Sequence, residues 1–138
     1  MYSKNTILLV DDEEVIKRRL RDVITDDYEV LEASNGQEAL DVLAANVDKV
    51  AVIVLDLIMP VMDGFRFMEE FGKHREYDNI PVIVATSNDD WHSEQKCLEA
   101  GVWDFVMKPY NPVLLQFRIK NAIDKSRMIM AERDAVTG

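Results

Sequence analysis

The amino-acid sequence predicts an α/β domain in which a parallel β-sheet is covered by helices on both faces. Five short apolar segments alternate with five segments of helical periodicity, and a helix is the usual crossover between parallel strands. The most apolar segments have no polar residues at alternate positions, which is typical of strands buried on both faces. The chain has 138 residues, the size of one domain.

The first half of the chain contains three of the predicted strands. TILLV (6–10) predicts a buried strand, and residues 13–24 follow as a helix with Lys and Arg on its polar face. The apolar face of that helix is formed by Val15, Leu20, Val23 and Ile24. Residues 28–33 alternate in polarity like a half-buried strand, and a turn signal then precedes a helix over residues 36–45. VAVIVL (50–55) is the most apolar strand, so we expect it at the centre of the sheet.

The second half of the chain continues the alternation. Residues 63–73 predict a helix, and IPVIVAT (80–86) predicts the fourth strand. Residues 89–101 predict a helix that ends at a glycine, and WDFVM (103–107) predicts the fifth strand. A last, long helix is predicted from residue 112 to about residue 132.

The composition excludes several classes of function. The net charge of −10 argues against nucleic-acid binding by this segment, because affinity for phosphate groups comes from Lys and Arg. No apolar segment approaches the ~20 residues of a membrane span, and the N-terminus lacks the long apolar core of a signal peptide. We therefore expect a cytoplasmic protein without membrane contact. Cys97 is the only cysteine, which excludes an internal disulfide.

Acidic residues follow two of the predicted strands. Asp11 and Asp12 come directly after the first strand, and Asp56 comes directly after the third. Open parallel sheets bind ligands beyond the carboxyl ends of their strands, so these carboxylates converge if the two strands are neighbours. Oxygen ligands with few histidines nearby favour Mg²⁺. Taken alone, Asp12 would serve as a helix cap and Asp56 as a turn residue.

Two further polar residues lie at the ends of predicted strands on the same rim. Thr86 ends the fourth strand and Lys108 ends the fifth. Each is more often structural when it occurs alone, but together they supply a hydroxyl and an ammonium group for an anion. Aspartate nucleophiles accept phosphoryl groups, and Mg²⁺ and Lys stabilise the charge of the group in transfer. The combination predicts phosphoryl chemistry in which one of the carboxylates is the nucleophile.

Four motifs, in order and in register, make the chain similar to the receiver domains of bacterial two-component response regulators. They are VDDEE (10–14), VLDLIMPVMDG (54–64), PVIVATS (81–87) and DFVMKPY (104–110). The resemblance covers essentially residues 5–125 and implies a flavodoxin-like fold with strand order 2-1-3-4-5. It implies a signalling domain that catalyses only its own phosphorylation and dephosphorylation. The implied phosphodonor is a sensor histidine kinase or a phosphotransfer protein.

The resemblance assigns roles to the residues of the rim. Asp56 is the expected phosphoacceptor, and Thr86 and Lys108 are expected to contact the phosphoryl group. The expected ligands of Mg²⁺, or of Mn²⁺ in its place, are Asp11, Asp12, Asp56 and the backbone carbonyl of Ile58. Thr86 and Phe105 are expected to form the conformational switch. The Lys108–Pro109 peptide bond is expected to be cis.

The resemblance also implies an output surface made by the fourth helix, the fifth strand and the fifth helix, which a partner or a second copy in a homodimer would bind. Residues expected there are Trp91, His92, Lys96, Trp103, Gln116 and Lys120. Two placements of Trp103 remain open: an exposed dimer contact, or burial under the fourth helix.

Other uses of this strand pattern fit the residues less well. A haloacid-dehalogenase-like phosphatase needs a second Asp two residues after its nucleophile, where this chain has Ile58. A flavodoxin-like cofactor site needs a phosphate-binding loop after the first strand, where this chain has four acidic residues. A module that binds partners without phosphorylation remains an alternative.

The end of the chain predicts a second segment. We expect residues 1–125 to form the receiver domain and residues 126–138 to form a helical linker, in which Ser126 and Ile129 would start a short coiled coil. The tail residues Asp134, Val136, Thr137 and Gly138 resemble the start of a diguanylate cyclase (GGDEF) domain. A linker toward such an output domain is therefore expected, with a stand-alone receiver as the alternative.

Overall fold

The computed structural model describes residues 4–24, 27–87 and 91–137. Within them, a parallel sheet has the strand order β2-β1-β3-β4-β5, which confirms the predicted fold class. The strands are β1 (Thr6–Val10), β2 (Glu29–Ala33), β3 (Val50–Leu55), β4 (Val82–Thr86) and β5 (Asp104–Met107). Strand order reverses between β1 and β3, so the carboxyl ends of these two strands form the position where such sheets bind ligands.

Helices cover both faces of this sheet. They are α1 (Glu14–Ile24), α2 (Gly36–Asn46), α3 (Gly64–Phe71), α4 (Trp91–Glu99) and α5 (Pro112–Thr137), with a 3₁₀ turn at Arg75–Tyr77. The first two residues of the predicted fourth helix, 89 and 90, lie outside the described residues. Helix α5 continues beyond its predicted end near residue 132. Within the described ranges, no helix combines the length and the apolar character needed to cross a membrane.

Two apolar clusters, one on each face, fix the helices to the sheet. Leu43 of α2 and Phe67 of α3 pack on one face, and Leu20 of α1 packs with Leu115 and Ile119 of α5 on the other. Burial of each of these side chains contributes about 1.5–3 kcal/mol to the free energy of unfolding. All six residues of β3 are buried, as expected for the central strand. The core thus holds the carboxyl ends of the strands in fixed positions.

The packed face of α1 differs from the prediction. Val15 was placed on the apolar face, but its side chain is 60% exposed. Lys17 is buried instead, and its Nζ donates to Ser34 Oγ at 2.9 Å and pairs with Glu14 Oε1 at 2.9 Å. The four-carbon stem of a lysine covers apolar surface while its ammonium group reaches polar partners. A prediction that only sorts residues into polar and apolar places such a lysine on the surface.

The C-terminal part of α5 is attached to the amino-terminal edge of the sheet. Ser126 is buried, and its Oγ donates to the Asn79 carbonyl at 2.9 Å. Arg127 Nη2 donates to the Lys4 carbonyl at 3.0 Å, and Arg133 Nη1 donates to Asn79 Oδ1 at 2.7 Å. Ser126 therefore packs against the domain and does not lie on an exposed stripe.

Candidate functional site

The carboxyl ends of β1 and β3 bring Asp11 and Asp56 together. Val10 and Leu55 are paired in the sheet, and Asp56 N donates to the Val10 carbonyl at 2.9 Å. Asp11 is 6% exposed and Asp56 is 4% exposed. Two carboxylates are thus held, nearly without solvent, at the point where the strand order reverses.

Lys108 reaches these carboxylates from the end of β5. Its Nζ donates to Asp11 Oδ2 at 2.6 Å and to Asp56 Oδ2 at 3.4 Å, and it lies 3.8 Å from Glu13 Oε1. Lys108 N donates to the Thr86 carbonyl at 2.9 Å, so the backbone at Lys108 is hydrogen-bonded to the end of β4. The Lys108–Pro109 peptide bond is cis. Three strands therefore contribute to one charged cluster.

Burial and charge shift the pKa values of the cluster. Burial raises the pKa of Asp11, although the hydrogen bonds from Lys108 and from the Glu13 N–H act in the opposite direction. Burial acts to lower the pKa of Lys108, but the hydrogen bond and charge of Asp11 with the charges of Asp56 and Glu13 outweigh it, so the pKa rises. Lys108 is therefore an ammonium ion at neutral pH, and it faces the carboxylates of Asp11, Asp56 and Glu13.

The same carboxylates form a set of potential metal ligands. Oxygen atoms of Asp11, Asp12, Glu13 and Asp56 lie within 4.8 Å of one another. A set made only of oxygen donors fits Mg²⁺ or Mn²⁺ and does not fit soft metals. Ile58 N donates to Asp56 Oδ1 at 3.4 Å, which places the Ile58 backbone beside the cluster. Sequence reasoning did not assign Glu13 to this set, although the run of four acidic residues contained the signal.

The loop after Asp56 is held by a close backbone approach. Gly64 N donates to the Leu57 carbonyl at 2.9 Å. A Cβ atom at Gly64 would lie 2.5 Å from the Asp56 carbonyl oxygen and 2.8 Å from Leu57 Cα, so only glycine fits. Asp63 caps α3 through a 2.9 Å hydrogen bond from Arg66 N. The motif thus fixes the backbone that carries Asp56.

The two residues predicted to form the switch lie on adjacent strands. Thr86 is fully buried at the end of β4, and its strand partner on β5 is Met107. Phe105 is half-buried, pairs with Val84 and packs against the apolar cluster below α4. The fold therefore connects Thr86 at the rim with an aromatic side chain in the middle of β5.

A cavity of about 290 Å³ adjoins the cluster, and sequence reasoning did not find it. Lys108, Tyr110 and Ile16 are among the residues that line it, so it lies between α1 and the loop from β5 to α5. Burial and the negative charges of Asp11, Asp56 and Glu13 raise the pKa of Tyr110, so its phenol is neutral at physiological pH.

The described residues of the predicted output surface lie in more than one environment. His92 and Lys96 are exposed on α4, and Lys96 Nζ lies 4.8 Å above the Phe65 ring. The Trp91 side chain lies outside the described residues.

The half-buried Trp103 packs against α5, where Lys125 Nζ lies 5.6 Å from its ring, and not under α4. Gln116 Nε2 donates to the Val23 carbonyl at 3.2 Å and so faces α1, and Lys120 lines the same groove as Gln116. Gln116 and Lys120 therefore lie on the side of α5 toward α1, and their place in the output surface stays a prediction. The helical periodicity of the sequence places Gln116 and Lys120 on the last helix, but it does not predict which neighbouring element each side chain faces.

The fold and the rim of acidic residues define a class of signalling domain. The family model of the response regulator receiver domain matches residues 7–120, and the chain belongs to this family. Transcriptional regulatory protein SrrA of Staphylococcus aureus is 34% identical over 130 residues, which are 94% of this chain and 52% of SrrA. The chain spans about half the length of the curated relatives it matches.

Solved structures give the same result. The response regulator receiver domain protein (CheY-like) from Methanospirillum hungatei JF-1 is 27% identical, with a TM-score of 0.82 over 91% of this chain and 98% of that one. The adenylate cyclase structure from Rhodopirellula baltica is 24% identical, with a TM-score of 0.86 over 97% of this chain and 98% of that one. The second match shows the fold alone.

Proposed function

We propose that the chain is the phosphoacceptor domain of a two-component response regulator and that Asp56 receives the phosphoryl group. The observation that carries the proposal is the buried Asp56 carboxylate at the end of the central strand, 3.4 Å from Lys108 Nζ and within the carboxylate cluster. The donor would be the phosphohistidine of a sensor histidine kinase or of a phosphotransfer protein.

The transfer needs a nucleophile and positive charge. An Asp56 carboxylate oxygen forms a bond to phosphorus while the P–N bond of the phosphohistidine breaks, and its electron pair stays on the imidazole nitrogen. Lys108 stabilises the charge on the phosphoryl oxygens. Asp11, Asp12, Asp56 and the Ile58 carbonyl would hold Mg²⁺, which when bound adds positive charge beside those oxygens. Attack of water on the acyl phosphate later restores the carboxylate and releases phosphate.

The signal would leave the site through β4 and β5. A hydrogen bond from the Thr86 hydroxyl to the phosphoryl group would draw Thr86 toward Asp56, and Phe105 would move into the space that opens. This movement would shift the populations of two conformations of the surface formed by α4, β5 and α5. A partner or a second copy would bind one of the two conformations more tightly.

The domain would act in the cytoplasm on an output domain. Residues 126–138 would form the start of a linker, and the tail residues support a diguanylate cyclase as that output. Asp134 lies in α5, whereas Gly138 and the side chains of residues 135–137 lie outside the described residues. The relative SrrA is named as a transcriptional regulator, so the full-length sequence decides between these outputs.

The test is the intact mass of the protein after incubation with acetyl phosphate. We expect one phosphoryl group on the wild type with Mg²⁺, and none with EDTA or in Asp56→Asn. Asp41→Asn, on the exposed face of α2, is the matched control and should be phosphorylated like the wild type. No phosphoryl group on a folded wild type that also fails to bind beryllofluoride would instead favour a module that binds partners without phosphorylation.

A further inference from the structure

The turn between β2 and α2 (residues 33–36, the β2–α2 turn) holds the acidic loop that follows β1. Asp11 N donates to the Ala33 carbonyl at 3.0 Å, and Lys17 Nζ donates to Ser34 Oγ at 2.9 Å. The first contact lies at the start of the acidic run, and the second lies just beyond its end, in the first turns of α1. The β2–α2 turn therefore fixes the acidic loop at both of its ends.

Burial of the Lys17 ammonium group costs free energy. The Lys17 side chain is 3% exposed, and an ammonium group loses its hydration when it is buried. Glu14 compensates only in part, because its side chain is 73% exposed and exposed ion pairs contribute little. Well-packed apolar residues are often at least as stabilising as a buried ion pair. The hydrogen bond to Ser34 is the contact that an apolar side chain at position 17 could not make.

The β2–α2 turn also holds the loop that follows Asp56. Gly36 N donates to the Met62 carbonyl at 2.7 Å, and a Cβ atom at Gly36 would lie 2.9 Å from that carbonyl oxygen. Val61 has a φ of 66°, and Met62 N donates to the Pro60 carbonyl at 2.7 Å, so Val61 is the central residue of a strained γ-turn. A strained backbone persists only where surrounding contacts hold it, and the contact between Gly36 and Met62 is one of them.

We infer that the β2–α2 turn sets the spacing between the two loops that carry the metal ligands, with Lys17, Ser34 and Gly36 as positioning residues. The carboxylate oxygens of the cluster lie within 4.8 Å of one another, and both loops that carry them are fixed to this one turn. Mg²⁺ demands near-ideal octahedral geometry, so a small change in this spacing weakens its binding. The inference rests on the proposed function, because Mg²⁺ is the cofactor proposed there.

Titration of the protein with Mg²⁺ alone, measured by isothermal titration calorimetry, tests the inference. Ser34→Ala removes the acceptor for Lys17 without a change of charge, and we expect the Kd for Mg²⁺ to rise about 3- to 10-fold, the effect of one lost hydrogen bond. Ser34→Thr keeps the hydroxyl and should keep the wild-type Kd. Gly36→Ala should raise the Kd at least as much as Ser34→Ala, because its Cβ displaces Met62.

A matched control separates positioning from a general loss of stability. Ser126→Ala also removes one serine hydroxyl that is hydrogen-bonded within the domain, but at the opposite edge of the sheet. Ser34→Ala and Ser126→Ala should lower the urea midpoint by similar amounts, and only Ser34→Ala should raise the Kd for Mg²⁺. Phosphorylation of Ser34→Ala by acetyl phosphate should be slow at low Mg²⁺ and should reach the wild-type rate at saturating Mg²⁺, because Asp56 is intact.

Two results would overturn the inference. One is an unchanged Kd for Mg²⁺ in both Ser34→Ala and Gly36→Ala, and the other is an equal rise of the Kd in Ser126→Ala. Failure of the proposed function has a different signature, because a wild type that binds no Mg²⁺ and accepts no phosphoryl group from acetyl phosphate would refute the function and the inference together.

Discussion

The two edges of the sheet use polar groups in opposite ways. At the carboxyl edge, the side chains of Asp11, Asp56 and Lys108 are buried together, so that two carboxylates share one ammonium group. At the amino edge, buried Ser126 satisfies the Asn79 carbonyl with one neutral hydrogen bond. Burial of unbalanced charge costs free energy, whereas a satisfied hydrogen bond contributes to stability. The carboxyl edge is therefore arranged to bind a ligand, whereas the amino edge is arranged to hold α5.

The largest effect is expected where the carboxyl edge is packed most tightly. Gly64→Ala should destabilise the domain by about 3 kcal/mol or more, because the new Cβ would lie 2.5 Å from the Asp56 carbonyl oxygen. Urea unfolding followed by circular dichroism measures the loss. The control is Gly72→Ala, whose Cβ would approach Met68 O at 3.3 Å and should change stability by less than about 1 kcal/mol. Equal effects of the two variants would show that the loop after Asp56 is not constrained.

A smaller effect is expected from removal of the central cation. Lys108→Met keeps the side-chain length but removes the hydrogen bonds of the ammonium group to Asp11 and Asp56, and we expect a loss of about 2 kcal/mol at neutral pH without Mg²⁺. Phosphorylation by acetyl phosphate should become slow, and beryllofluoride should no longer shift the environment of Phe105, measured by NMR. Lys73→Met, an exposed control, should behave like the wild type. Normal activation of the Lys108 variant would contradict its assigned role.

The strand ends of the carboxyl edge were predictable from sequence for a topological reason, whereas the packing of side chains and loops around them was not. Parallel strands bring their carboxyl ends to one rim whatever their side chains are, so Asp11, Asp56 and Lys108 could be grouped from strand ends alone. Tyr110 and its cavity depend on how a loop folds over α1, which no periodicity encodes. Lys17 was misplaced because a polar and apolar pattern treats a lysine as a surface residue.

The smallest effect is expected at the amino edge, from Ser126→Ala. The variant removes the donor to the Asn79 carbonyl, and we expect a loss of about 1 kcal/mol in urea unfolding, with an unchanged rate of phosphorylation because the carboxyl edge is untouched. Asp124→Ala, at an exposed position of the same helix, should stay within about 0.5 kcal/mol of the wild type. An unchanged stability in Ser126→Ala would mean that the Ser126 hydrogen bond does not help to hold α5 to the domain, and Ser126 would then be available to a coiled-coil linker. A loss of the expected size would instead mean that any such linker begins after Ser126, so that the domain holds the start of the linker in a fixed orientation.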